Sequence, residues 1–314
     1  MRTFYQILLN CVVIVFASGV SAQDSDFNAK MKNAAEMLTA KQYSEAQSFF
    51  KEALKQAAKP DERQKAVRGV ADCLNAQNKF VEAAEVFKSN LMVFEGADAT
   101  YNAYGMIASS LNRANEAGKA LEWQLKRLGI DGISPEQRAS TYLQIGDLQR
   151  EKMRKPEDAG KSYAEAVKIY ESIIADSSSK DNVKADARVN RIGALSKDSS
   201  RRGDYFKAAD EFVSSQDALL DRKGQVFEQM KNVYIDDHDW KNAASCLRRY
   251  AELPGLAPAK KASVLLQLGD LSWRNCHNLG VSLKALREVV AIHEAPAKTK
   301  QDAETWIRML SEQY

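Results

Sequence analysis

Few residues in this 314-residue chain are of types and spacings that could do chemistry. It holds three histidines, His238, His277 and His293. Asp236, Asp237, His238 and Asp239 run together and offer carboxylate oxygens beside an imidazole, a donor set that can hold a divalent ion. The same residue types cap and turn helices, and a turn is the expected role. Cys276 and His277 are adjacent, which is not zinc-ligand spacing, and no clear second pair completes a tetrahedral set. Arg202-Gly203-Asp204 spells an integrin-binding tripeptide, but Gly203-Asp204-Tyr205 reads better as the turn between two helices. There is no glycine-rich phosphate loop, no nucleophile elbow and no His-Glu-x-x-His. No catalytic residue, metal site or cofactor is expected.

The chain around these residues is organised for something else. The first 22 residues read as an export leader. Arg2 is the only charge before Asp24, an apolar stretch runs from Ile7 to Ala17, and Val20 and Ala22 suit the small-residue pocket of a signal peptidase. The stretch is too short to span a bilayer, which takes about 20 apolar residues, so no membrane span is expected. Cys11 sits inside the stretch rather than after a small residue at its end, which argues against a lipid anchor. Cleavage after Ala22 would put the mature chain in the periplasm or outside the cell. It would lose only Arg2 among its charges, leaving 44 basic against 42 acidic residues. A balance so near neutral argues against nucleic acid or an anionic membrane as partner, because both reward dense Lys and Arg. Of the cysteines, Cys73, Cys246 and Cys276 would remain; an odd number in a chain of this size is not a disulfide framework, and one Cys246–Cys276 bridge is left open.

Apolar residues recur at helical spacing, strand-like alternation is scarce, and the six prolines (60, 135, 156, 254, 258 and 296) mark breaks, since proline costs about 3 kcal/mol inside a helix. A second pattern repeats along the chain: a large residue, a small one three positions on, and a large one four beyond that. Tyr43/Ala46/Phe50, Phe80/Ala83/Phe87, Tyr205/Ala208/Phe212 and Trp240/Ala243/Leu247 are the clear copies. Ala117/Ala120/Gln124, Pro156/Ala159/Tyr163 and Leu279/Ser282/Leu286 fit the frame more loosely. These offsets place all three residues on one helix face, where the small one admits a neighbouring helix. Upstream of two copies stand Leu143-Gln-Ile-Gly-Asp-Leu148 and Leu266-Gln-Leu-Gly-Asp-Leu271, the same hexamer bar one residue. They read as the first helices of repeats four and seven.

The Leu-Gly-type pairs Ile145-Gly146 and Leu268-Gly269, followed by the aromatic–Ala–Phe frame, make this chain resemble the tetratricopeptide repeat family, whose unit is a 34-residue helix–turn–helix. The resemblance covers roughly residues 27–295. It departs from the family in the missing aromatics of repeat three, in units longer than 34 residues and in the absence of the closing proline. It implies an all-α fold: a right-handed solenoid of about seven helical hairpins over 23–295, with residues 296–314 as a C-terminal capping helix whose apolar stripe is Ala303, Trp306, Ile307 and Leu310.

The resemblance also implies a function: non-catalytic binding of a peptide or protein segment on the concave face, which the first helix of each repeat lines. The residues it places there are Arg68, Asp72 and Asn75, then Asn112 and Arg113, Asp147 and Arg150, Lys197 and Arg201, Asn232, and Asp270 with Trp273. Asp72 stands where the chaperone-binding members need an Asn, so their carboxylate clamp is not expected. The setting would be a scaffold of the bacterial cell envelope, monomeric or homo-oligomeric. The rival is the helical part of a secreted enzyme system with a weak metal or catalytic site of its own, but the repeats leave no room for a second domain.

Overall fold

The computed structural model describes residues 26–216 and 218–312; the expected leader, 1–22, lies outside them. All regular structure among these residues is helical. The helices alternate as first and second arms of hairpins. They are α1 (26–39) with α2 (Tyr43–Gln56), α3 (Pro60–Ala76) with α4 (Phe80–Ser89), α5 (Ala97–Arg113) with α6 (Ala117–Leu128), and α7 (Pro135–Glu151) with α8 (Pro156–Ala175). Next come α9 (Asp181–Lys197) with α10 (Arg202–Ser214), α11 (Leu220–Asp236) with α12 (Trp240–Ala251), α13 (Pro258–Arg274) with α14 (Leu279–Ala291), and the closing helix α15 (Ala297–Glu312). Seven hairpins and a cap are the expected count.

Local chemistry sets the boundaries. Pro60, Pro135, Pro156 and Pro258 each open a helix, where the missing N–H has no intrahelical partner to lose. Ser134 and Gln137 bond reciprocally at the start of α7, the hydroxyl accepting from the Gln137 N–H at 3.2 Å and the Gln137 side-chain Oε1 accepting from the Ser134 N–H at 2.8 Å. Six of the seven turns within hairpins pass through one residue in the left-handed region: Lys41, Asn78, Asn115, Arg154, His238 and His277, with φ between 51° and 60°. In four of them the next N–H reaches back five residues, as from Lys79 to Leu74 and from Asp239 to Tyr234. In the hairpins of the repeated hexamer it reaches back six, from Lys155 to Gln149 and from Asn278 to Ser272. Those two turns are one residue longer.

The two histidine clusters are thereby explained. His238 and His277 are the left-handed turn residues, Asp239 caps α12 by accepting from the Asn242 N–H at 3.2 Å, and Asp237 pairs with Arg202 at 2.9 Å. The Arg-Gly-Asp stretch is not the turn that its sequence promised. Asp198 caps the Ser200 N–H at 3.0 Å, a short 3-10 turn spans Ser199–Arg201, and Arg202-Gly203-Asp204 forms the first turn of α10. Cys246 and Cys276 are not bridged: their thiols donate to the Phe227 and Trp240 carbonyls, each at 3.4 Å. Burial pushes the Cys246 thiol up to about 12.

The chain divides into two compact units between Ser162 and Tyr163, inside α8. In the first, Ala46, Phe50, Val67, Val70, Ala83, Phe87, Ile107 and Ala120 form a continuous core. In the second, Tyr163, Ile192, Leu195, Tyr205, Met230, Leu247, Leu265, Leu268 and Leu286 are the large side chains with essentially no exposure. Each fully buried side chain of this size contributes about 1.5–3 kcal/mol. The small frame residues 46, 83, 120, 159, 208, 243 and 282 are all buried. Ser282 additionally donates from its hydroxyl to the Gly269 carbonyl at 2.8 Å, tying α14 to α13. Ala303 and Leu310 of α15 are buried, while Trp306 and Ile307 are half-buried.

The repeated hexamer turns out to be the visible part of a longer register. Helices α5, α6, α7 and α8 begin at Ala97, Ala117, Pro135 and Pro156; α11, α12, α13 and α14 begin at Leu220, Trp240, Pro258 and Leu279, each 123 positions later. Equivalent places use different pairs. Tyr101 packs under the Arg127 guanidinium, whereas Gly224 makes room for Tyr250.

Candidate functional site

The expected binding residues fall on different footings. Arg68 and Asp72 are exposed on α3, and Asn232 is exposed on α11. Asn75 is tied to the next hairpin, accepting from the Ser110 hydroxyl at 3.4 Å. The Arg113 guanidinium lies over the Phe80 ring, 4.2 Å from its centroid. Arg150 reaches Glu151 at 3.2 Å and Asp147 at 4.0 Å. Both arginines are thus engaged within the chain. Lys197 ends α9 and lies 6.0 Å from the Tyr163 ring centroid. Arg201 is not on α9 at all; it sits in the 3-10 turn and binds Asp204 through Nε at 3.0 Å and Nη2 at 2.9 Å. Asp270 is bridged to Arg274 at 2.5 Å, and both line a shallow groove against Trp306 of α15; Trp273 is half-buried.

Two expected residues do meet. Asn112 and Asp147 line one groove of about 320 Å³ bounded by α5, α6 and α7, together with Ser109, Gln124 and Gln144. Asn112 is at the end of α5, and its Oδ1 is buried with no hydrogen-bond partner among the described residues. A buried acceptor left unmet costs about 1–3 kcal/mol.

The far wall is ordered by a buried cation. Arg127 is 7% exposed, and among the described residues no carboxylate pairs with it. Its Nε donates to the Tyr101 carbonyl at 3.0 Å, and its Nη1 donates to Gln144 Oε1 at 2.9 Å and Gln124 Oε1 at 3.4 Å. The Tyr101 ring centroid lies 3.6 Å from the guanidinium carbon. Burial lowers the Arg127 pKa from its usual value, against the pull of Tyr101, yet a guanidinium remains charged at any physiological pH. Because it only donates, both glutamine oxygens must face it. Gln124 spends an N–H on Gln144 Oε1 at 2.9 Å, and Gln144 is left presenting its amide nitrogen, with only a long 3.4 Å contact to Ser140. The groove thus joins a fixed amide donor, an unmet amide acceptor and the Asp147 carboxylate. That is the vocabulary of a peptide backbone, which offers one N–H and one C=O per residue.

Gln124, Gln144, Ser109 and Arg127 were not foreseen as site residues. The one signal in the sequence was a departure: repeat three puts Gln124 where the frame has a large apolar residue. Among the described residues no three His, Cys, Asp or Glu side chains gather as a metal site would require, and no helix is long and apolar enough to cross a membrane.

No protein-family model matches the chain, and no curated protein sequence is similar to it. Solved structures of like architecture include a tetratricopeptide repeat protein from Parabacteroides merdae ATCC 43184, at 13% identity, TM-score 0.48, covering 91% of this chain and 99% of that one. A TPR repeats protein from Bacteroides fragilis NCTC 9343 shows 14% identity and TM-score 0.33 over 92% of this chain and 99% of its own. YrrB, described as a TPR protein with an unusual peptide-binding site, shows 15% identity and TM-score 0.38 over 72% and 97%. Likeness at this level says nothing of function, and the fold rests on the helix order above.

Proposed function

We propose that this chain is a non-catalytic tetratricopeptide-type scaffold of the bacterial cell envelope, exported by the leader 1–22, that binds an extended segment of another protein. The groove of α5, α6 and α7 is its principal contact, and α3, tied to α5 through Asn75 and Ser110, extends it. The observation that carries this is Asn112 Oδ1, a buried acceptor without a partner among the described residues, on a residue that lines the same groove as Gln144, whose orientation Arg127 fixes. A purely structural rod has no reason to keep an unmet acceptor beside a cavity. Among the described residues no metal-ligand cluster stands in the same groove, and no hydrogen bond joins its Ser109 hydroxyl to a base as a catalytic reading would require.

The test is capture from an envelope extract by the purified chain. Asn112→Ala with Asp147→Ala removes two groove contacts worth about 0.5–1.5 kcal/mol each, so recovery of the partner should fall about tenfold. Lys51→Glu with Lys55→Glu, on the exposed side of α2, should leave recovery unchanged. Equal recovery by both variants, with unchanged circular dichroism, rejects the groove and favours a structural rod.

A further inference from the structure

The second unit contains a larger groove that the reading above does not use. It has a volume of about 710 Å³, in the middle of the range of about 300–1,000 Å³ typical of ligand clefts. Trp240 and Lys241 of α12, Leu268 and Ser272 of α13, and Val281 and Lys284 of α14 line it. None of the expected concave-face residues does.

Its floor is explained by the 123-residue register. Gln149 in α7 is equivalent to Ser272, and Ser162 in α8 is equivalent to Ala285. In the earlier hairpin the Ser162 hydroxyl donates to Gln149 Oε1 at 2.8 Å, and the long glutamine side chain occupies the space by the turn. In the later hairpin both partners are truncated. Ser272 is 1% exposed, and its hydroxyl has no hydrogen-bond partner among the described residues. The backbone has not changed to compensate: the Ser272 carbonyl still accepts from Asn278, as the Gln149 carbonyl accepts from Lys155, each at 2.8 Å. The fold is conserved between the two hairpins while the filling has been removed.

The walls carry a sign. Lys241 and Lys284 are exposed, stand on different helices, and make no ion pair or hydrogen bond among the described residues. Arg248, also in the wall, pairs with Glu288 at 2.7 Å. The carboxylate in the wall, Asp239, is committed to capping α12, accepting from the Asn242 N–H and, at 2.7 Å, from Asn242 Nδ2. The groove also carries the Trp240 ring and Val281, the latter 37% exposed, while Leu268 is 1% exposed. We propose that this groove is a second docking site, taking an acidic segment of a partner protein in which an apolar side chain is flanked by carboxylates. The apolar side chain would lie on Val281 beside Trp240, with the carboxylates on Lys241 and Lys284. Cations on separate walls suit charges spaced along a chain better than the single carboxylate of a small amphiphile.

The test uses the full chain and three fluorescein-labelled peptides: Glu-Asp-Leu-Phe-Asp-Glu, the same with lysines for the acids, and the same with serines for Leu-Phe. Anisotropy titrations should show binding of the first and at least about tenfold weaker binding of the other two. Lys241→Glu with Lys284→Glu should weaken the first peptide about tenfold. Ser272→Gln with Ala285→Ser installs the pair that the equivalent hairpin already accommodates; it should fill the floor, weaken binding by a similar factor and leave the melting curve intact. Asn112→Ala with Asp147→Ala should bind the peptide like the parent chain, whatever happens in the envelope capture. The proposal is overturned by no binding of the acidic peptide below about 1 mM, by unchanged binding in either groove variant, by loss of binding in the Asn112/Asp147 variant, or by preference for dodecanoate over the peptide.

Discussion

Gly224 offers a sharp test of how these hairpins pack. It lies in α11, and a Cβ added there would stand 2.6 Å from the Tyr250 hydroxyl, closer than any real contact. Tyr250 is 4% exposed and stacked on Phe227, ring centroids 5.4 Å apart at 10°, so a shift of a few tenths of an ångström is open to it but not the larger one that a 2.6 Å contact demands. Overpacking of this kind costs about 1–3 kcal/mol. Replacing a helical glycine by alanine also returns about 1 kcal/mol of backbone entropy and propensity. Gly224→Ala should therefore destabilise by up to about 2 kcal/mol. Removing the hydroxyl changes the sign. In the Tyr250→Phe background the nearest ring atom is 3.3 Å away, a contact the ring can relieve by a few tenths of an ångström. There only the propensity remains, and Gly224→Ala should stabilise by about 0.5–1 kcal/mol. The assay is a four-member double-mutant cycle in urea, followed by circular dichroism, with the coupling free energy as the readout. An equal effect of Gly224→Ala in both backgrounds would refute the claim that the tyrosine's approach is what selects glycine here.

Ala83 is fully buried where α4 meets its neighbours, so Ala83→Trp should lower the melting temperature of the whole first unit, and a melt identical to the parent's would show the repeat frame to be misplaced. Burial pushes the Glu228 carboxyl up, but hydrogen bonds and charge from Lys231 and then Lys260 outweigh it and hold the group below the usual carboxylate range. A depressed folded pKa contributes stability above the ordinary value of about 4.3 and loses it as pH falls through the folded value, so the stability gap between the parent and Glu228→Gln should be present at pH 7 and close under more acidic conditions; urea melts across pH read it. Export should remove residues 1–22, and the intact mass of the exported protein checks this; a retained leader or a diacylglycerol adduct on Cys11 would refute it.

The hairpin count, the helix starts at proline and the buried small residues were legible because each depends on residues three or four apart on one helix. A face repeating at 3.6 residues, and a proline that cannot sit inside a helix, are properties of the local chain. The repeated hexamer pointed correctly to the first helices of hairpins four and seven for the same reason. What a side chain does at the surface is not local. Arg113 finds Phe80, 33 positions earlier, and Arg127 holds Gln144, 17 positions later, because helices far apart in sequence bring them together. Position on the first helix therefore nominated Arg113 and Arg150 equally with Asn112 and Asp147, and only packing separated the committed groups from the unmet one. The short turn after α9 is a similar case: Asp198 captures the Ser200 N–H, and that single hydrogen bond moves Arg201 off the helix where periodicity had put it. The orphaned hydroxyl of Ser272 lies furthest from sequence reasoning. A serine in a helix carries no sign of whether its partner exists, and here the partner's absence follows from Ala285, on the other arm of the hairpin.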